Sequence, residues 1–352
     1  IDTTDEFYGA EQDFYDQNGP VFRNLCVSYQ KKLYHSPYRA YLEERIGKVA
    51  FKNIELGMKS VDDKILPLMQ EENAIQTEYN KLLATAKIAW RGETLNLSLM
   101  NPYLHSSDRG IRAEAWKKYT AFFEENQEQL DDIYDRLVKN RTKQGEAMGY
   151  ENYLPLGDAR MMRNCYDRSD MGEFRKQVKR DFVPFAEKLH ERRRQRLGID
   201  HLLYIDEGVY FPQGNPAPIG TPEEILQAGQ KMYRELSKET GEFMDFMREN
   251  ELFDVLGRKT KKTGGYMTYL PDFGAPFIFA NFNGTSGDAD VITHECGHAF
   301  QWYVVKDDPI REHWDITMET AETHSMSMEF FTEPWMNLLF GSRAKDYVDM
   351  HF

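Results

Sequence analysis

Cysteine is scarce. The 352 residues hold three, Cys26, Cys165 and Cys296, odd in number and far apart, which excludes a disulfide framework. Positive charge is in deficit: 44 Lys and Arg stand against 58 Asp and Glu, a formal net charge of −14. The dense cationic surface needed to bind nucleic acid or an anionic membrane without sequence preference is therefore missing. No apolar run approaches the roughly 20 residues of a membrane-spanning helix, and no basic-then-apolar secretory pattern opens the chain. Internal repeats and low-complexity segments are also lacking. At 41% hydrophobic and 13% aromatic residues, the composition excludes a disordered or collagen-like chain. These absences leave a soluble, cytoplasmic globular protein as the expectation, without nucleic-acid or membrane partners and with its oligomeric state open.

What is present reads mostly as helix. Leu130, Ile133 and Leu137 recur at helical spacing between Glu128 and Met148, and Gly149 supplies a stop. Ser169 or Asp170 is the predicted cap of a helix carrying Phe174, Val178, Phe182, Phe185 and Leu189, with a kink or break one turn before Pro184. Thr221-Pro222-Glu223-Glu224 is a strong start signal, and the helical pattern continues to about Leu256 with an interruption near Gly241. Two basic clusters, Arg192 to Arg196 and Arg258 to Lys262, read as a solvated helix end and a solvated loop. After Lys262 the pattern changes. Gly264 to Leu270 and Pro276 to Phe282 read as strands, and Asn283 to Gly287 as a turn with Ser286 or Asp288 as the cap of a following helix.

That helix carries His294-Glu295-Cys296-Gly297-His298. Positions four apart on a helix lie side by side one turn along, so both imidazoles can grip one metal ion. Glu295 falls on the same broad face, where its carboxylate can reach a water on that metal. Imidazole plus carboxylate suits one Zn2+ per chain. Cys296 points off the ligand face and reads as a small buried residue. A third ligand must come from elsewhere. Gln301 and Val304 stand where the metzincin extension needs Gly and His. Downstream, a helix capped by Asp315 or Thr317 sets Glu319, Glu322 and Glu329 on one side, and spacing alone leaves Glu319 and Glu322 open as ligand. Met318, Met326 and Met328 read as core packing there, and His313 and His324 as ordinary core or surface histidines.

The run Phe279 to Asp288, the His294 to Phe300 segment and Ala321 to Phe331 together resemble the oligoendopeptidase F branch of the thimet-oligopeptidase family of zinc metallopeptidases. The likeness extends to Gly264-Gly265-Tyr266 and back through the helical region. It implies a large, mainly α-helical, two-lobed metallopeptidase with a small β-sheet beside the zinc helix. It also implies Glu322 as the third ligand, seven residues before Glu329. The organisation expected is an N-terminal helical region over 1–160, a second helical region forming part of the cleft wall over 161–262, and a zinc-binding region over 263–352. The family's downstream substrate-binding His and tyrosine cluster has no counterpart before Phe352, so the chain is expected to correspond to the middle portion of such an enzyme.

The chemistry so implied is cleavage of internal bonds in short peptides, with His294, His298 and Glu322 on zinc and Glu295 as general base. Glu329 is a candidate to orient a ligand histidine, and Gly264, Gly265 and Tyr266 lie on the candidate sheet edge for substrate. The competing reading is a catalytically silent peptide-binding fragment. An aminopeptidase is disfavoured, because no Gly-x-Met-Glu-Asn run supplies an acidic anchor for a free amino terminus.

Overall fold

The computed structural model describes residues 2, 4–314 and 316–351, which are mainly helical with one short hairpin and one three-stranded sheet. Helix α1 (Glu6–Tyr34) starts where the Asp5 side chain accepts the unpaired N–H groups of Phe7 and Tyr8. It packs with α3 (Lys48–Met58) and α4 (Leu66–Ala84), while α2 (Arg39–Ile46) packs on α3. A hairpin of β1 (Ile88–Trp90) and β2 (Glu93–Leu95) turns at Arg91 and Gly92, both at positive φ, and leads into α5 (Leu97–Leu104) and α6 (Arg109–Glu125). Helices α7 (Gln127–Ala147) and α8 (Tyr153–Arg160) close this half. Between α4 and α7, buried Glu72 accepts from Arg141 at 2.7 Å, Gln144 at 2.8 Å and Arg160 at 3.2 Å, so its charge is fully partnered.

Helix α9 (Arg168–Gln177) is capped by Asp167 in a box with Asp170, so the predicted Ser169 or Asp170 cap is displaced by two or three residues. A π turn over Val178–Phe182 separates it from α10 (Val183–Leu197), which holds Pro184 in its first turn, in keeping with the predicted break. Helix α11 (Pro222–Leu236) begins with the predicted Thr221–Glu224 capping box. Helix α12 (Lys238–Glu249) follows from Ser237, but the helix expected to reach Leu256 stops early. Glu251 takes a φ of 54°, and β3 (Phe253–Leu256) pairs parallel with a later strand.

The sheet has the order β3-β5-β4, with β4 (Tyr266–Leu270) antiparallel to the central β5 (Ala275–Phe282). The Ile278 N–H donates to the Leu252 carbonyl on the β3 side. Its partner Met267 therefore turns its backbone groups to the free edge of β4, and by alternation so does Tyr269. Pro276, opposite Tyr269, consequently costs the ladder no donor.

Neither basic cluster is simply solvated. Lys261 is wholly buried, and its Nζ donates to the carbonyls of Asp254 at 2.8 Å, Leu256 at 3.0 Å and Ala280 at 2.5 Å, and to the Asp254 carboxylate at 3.1 Å. Four converging oxygens make burial of the ammonium tolerable, although burial still lowers its pKa. Arg193 is likewise buried and donates to the Glu207 carbonyl at 2.6 Å.

Helix α13 (Gly287–Asp290), a π turn over Val291–Glu295 and α14 (Cys296–Val305) run on without interruption. Helices α15 (Met318–Thr332), α16 (Met336–Phe340) and α17 (Ala344–His351) follow. Thr317 caps α15 by accepting from Thr320, while Asp315, the other predicted cap, lies outside the described residues. Of the methionines expected in the core, only Met328 is buried, against Gly297 of α14; Met318 and Met326 are exposed. Cys296 is buried as expected, in a core shared with Met232, Tyr233, Phe243, Ile278 and Ile292. No described helix is long and apolar enough to cross a membrane.

Candidate metal centre

The helix bearing the two histidines is positioned at its entry and at its π turn. Ser286 stands at its cap position without a side-chain hydrogen bond. The buried Asp288 instead reaches back, accepting from the Asn283 N–H at 2.9 Å and the Gly284 N–H at 2.8 Å, which pins the entering turn. Within the π turn, the wholly buried Tyr233 hydroxyl donates to the Ile292 carbonyl at 2.8 Å, supplying a donor inside the widened ladder. His294 and His298 then project together, their rings 4.9 Å apart and nearly perpendicular.

The facing helix α15 comes unusually close because residue 297 is glycine. A Cβ there would lie 2.7 Å from Ser325 Cα, 3.0 Å from the His324 carbonyl oxygen and 3.0 Å from Met328 Cβ. This approach brings Glu322 Oε2 to 3.3 Å from His294 Nε2 and 3.8 Å from His298 Nε2. Ser325, buried at the contact, donates its hydroxyl to the same Glu322 oxygen at 3.1 Å. Glu319, the alternative left open by spacing, turns instead to Arg163 at 3.4 Å.

His294, His298 and Glu322 each offer one donor atom within 4.8 Å of the others. Donors about 2.0–2.1 Å from a tetrahedral zinc ion lie about 3.3 Å from one another, so the donor types and spacings fit this metal. Burial lowers the His298 pKa and the charge of His294 lowers it further, which favours the neutral ring a metal requires.

Behind His294 runs a chain of polar contacts. Its Nδ1 lies 2.5 Å from Glu329 Oε1, and the other Glu329 oxygen lies 2.6 Å from His351 Nε2. Tyr347, stacked on Phe340 with ring centroids 4.1 Å apart, donates its hydroxyl to Asp290 at 2.6 Å and stacks on His351. Glu329 thus holds Nδ1 and leaves Nε2 of His294 turned toward Glu322.

Glu295 lies outside the donor trio but close enough to feel the charges of His294 and Glu322, and it faces the Met267 N–H at the free edge of β4. Burial raises its carboxyl above the usual carboxylate range, and the neighbouring Glu322 charge adds to the rise. His294 and the Met267 N–H oppose it. Asn281 fixes the loop before the strand by donating to the carbonyls of Lys262 at 2.9 Å and Gly264 at 2.8 Å. Gly264 takes a positive φ there, and Gly265 lies against the Phe279 carbonyl. Tyr266 stacks on Phe279 with centroids 5.0 Å apart and lines a different cavity, shared with Tyr8, Thr77 and Lys81. His313 bridges Asp308 and the Ile46 carbonyl, each at 2.8 Å.

Sequence reasoning missed His351, Tyr347, Asp290 and the Met267 N–H. Only Asp290 carried a signal: it lies four residues before His294, in the same helical row.

The chain matches the Peptidase M3 N-terminal domain over residues 1–61 and Peptidase family M3 over residues 236–350. Its fold is similar to that of a protein assigned as oligoendopeptidase F, solved at 3.1 Å, with a TM-score of 0.98, 47% identity, and coverage of 100% of this chain and 62% of that one. It is also similar to an oligoendopeptidase F assigned in Bacillus anthracis str. Ames (TM-score 0.97, 45% identity, 100% and 64% coverage). PZ peptidase A with an inhibitor gives a TM-score of 0.98 at 47% identity, with 100% and 62% coverage. The chain therefore spans between 62% and 64% of the length of these three structures. Among curated proteins none matches it. The chain belongs to peptidase family M3.

Proposed function

We propose that the chain carries the active site of a zinc-dependent endopeptidase hydrolysing internal bonds of short oligopeptides. The observation behind this reading is the meeting of three metal-type donors, two imidazoles and a carboxylate, with a second carboxylate, Glu295, beside them. His294 and His298 would hold the ion through Nε2, and Glu322 through its carboxylate. A zinc ion there supplies Lewis acidity toward a carbonyl and brings the pKa of water to about 7.

Glu295 takes the proton of the attacking water onto its carboxylate and returns it to the leaving amine. A carboxyl raised by burial suits that role, because the proton must be held between the two steps. The outward backbone groups of β4 recognise an extended main chain whatever its side chains, which fits a broad pool of short peptides.

The test is Glu295→Gln in the 352-residue chain. Cleavage of an internally quenched peptide should fall by about 100-fold or more, while zinc content stays unchanged. Undiminished cleavage by the variant would overturn the role of Glu295. Zinc without cleavage in either protein would favour the silent peptide-binding reading.

A further inference from the structure

One turn beyond His298, the row of positions 294 and 298 continues to Trp302. Tyr269 of β4 stacks on the Trp302 ring with centroids 4.6 Å apart and planes 13° apart. Trp314 closes the group edge-on, 5.3 Å from Tyr269 and 6.2 Å from Trp302. The Trp314 indole N–H donates to the Asp308 carbonyl at 3.0 Å, and the Arg311 guanidinium covers its ring at 4.2 Å. His313, held by Asp308 and by the Ile46 carbonyl, ties this corner to the N-terminal helices.

These aromatics form one wall of an open groove of about 730 Å³. Leu25 and Tyr29 of α1 line it as well, and they are 62% and 58% exposed, large apolar side chains left uncovered. A volume of this size lies in the range of sites that take small ligands or side chains. The groove is separate from the Gly264–Gly265 loop, which lines another cavity beside Asn281 and Val291.

Its position relative to the candidate metal centre follows from two elements. Along β4, Met267 turns its backbone groups to the free edge on the side of Glu295, and Tyr269 is the next residue to do so. Two strand residues span about 7 Å. Along α14, Trp302 lies four residues from His298, a rise of about 6 Å. Both paths set the groove about two residues of extended peptide from the bond to be cut.

We propose that this groove is a specificity subsite that takes an aromatic or large aliphatic side chain of the substrate, two or three positions from the scissile bond. The inference rests on the peptidase reading and adds to it a preference at one substrate position. Tyr269 serves twice: its backbone offers the edge to the substrate main chain, while its ring forms the groove wall on Trp302. An aromatic side chain entering between Trp302 and Leu25 buries its apolar surface and meets ring faces and edges in the geometries aromatics favour. A small or charged side chain leaves the groove wet and gains nothing from it.

The experiment uses internally quenched peptides alike except for Phe, Leu, Ala or Asp at each position up to three residues on either side of the cleaved bond. Wild-type chain is compared with Leu25→Glu, on the exposed wall, and with Trp302→Ala. One position should show kcat/KM higher for Phe or Leu than for Ala by about tenfold or more, with Asp disfavoured further. In Leu25→Glu the Phe-to-Ala ratio at that position alone should collapse to within about threefold. Because Trp302→Ala removes core packing, Leu25→Glu decides if that protein fails to fold.

Equal rates for all four residues at every position, or a preference that survives Leu25→Glu, would overturn the subsite while leaving the peptidase reading intact. Binding of the same peptides, followed by calorimetry, separates the two ideas from the other side. Tighter binding of the Phe peptide, lost in Leu25→Glu but accompanied by no cleavage, would support the groove and overturn the peptidase reading.

Discussion

Gly297→Ala adds a single methyl group at the tightest point of the site. The new Cβ would lie 2.7 Å from Ser325 Cα and 3.0 Å from the His324 carbonyl oxygen, both backbone atoms of α15 that no rotamer change can move. To reach ordinary contact, α14 and α15 must separate by about 1 Å, an overpacking strain of about 1–3 kcal/mol. The same displacement acts on the site, because Glu322 and Glu329 flank Ser325 on α15. It would carry Glu322 away from His294 and His298, now 3.3 and 3.8 Å distant, and lengthen the 2.5 Å contact of Glu329 with His294. Zinc affinity, measured by competition with a chromophoric chelator, should fall by about 10–100-fold. The melting temperature should fall by about 1.5–4 °C. Gly297→Ser should be at least as damaging. If Gly297→Ala keeps its zinc affinity within about threefold and melts within about 1 °C of wild type, the helices are not packed as described and the reasoning fails.

His351→Ala removes the partner of the second Glu329 oxygen. It should weaken zinc binding by about tenfold, with His351→Gln restoring part of the loss and chelator competition as the readout. Glu72 gives a pH prediction. Burial raises its carboxyl, but Gln144, Arg141 and Arg160 lower it more, so the folded pKa lies below the unfolded value. Its contribution to stability is therefore present above the unfolded pKa of about 4.3 and is lost as pH falls through the folded pKa. Glu72→Gln should cost about 3–5 kcal/mol near neutrality, and the difference in melting temperature from wild type should shrink progressively below about pH 4. A difference that is constant from pH 7 to 3 would contradict this.

Local signals were legible wherever short-range physics decides. The Thr221–Glu224 box, the break before Pro184 and the adjacent imidazoles of His294 and His298 all depend on residues within one or two turns. Where distant partners decide, spacing was silent. Glu319 and Glu322 are equivalent on the helix, and Arg163 of a much earlier segment draws one of them away. Phe253–Leu256 continues the apolar pattern of α12 and becomes a strand only because β5 lies alongside. Lys261 looks like one more solvated charge until four oxygens from β3 and β5 surround it. His351 reaches Glu329 through the fold of α16 and α17, at a distance no motif encodes. The apolar stripe of α9 and α10 was legible as periodicity, yet Phe174, Phe182, Phe185 and Leu189 stand exposed, since periodicity does not say what covers a face.

The proposed chemistry depends on His294, His298 and Glu322 holding one zinc ion. Zinc content of the purified chain, taken together with X-ray absorption at the zinc edge, tests it most directly. About one zinc per chain is expected, with imidazole nitrogen and carboxylate oxygen at about 2.0–2.2 Å and no sulfur in the shell, and that signal should be lost in Glu322→Gln. A shell containing sulfur at about 2.3 Å, a signal unchanged in Glu322→Gln, or no bound zinc would contradict it.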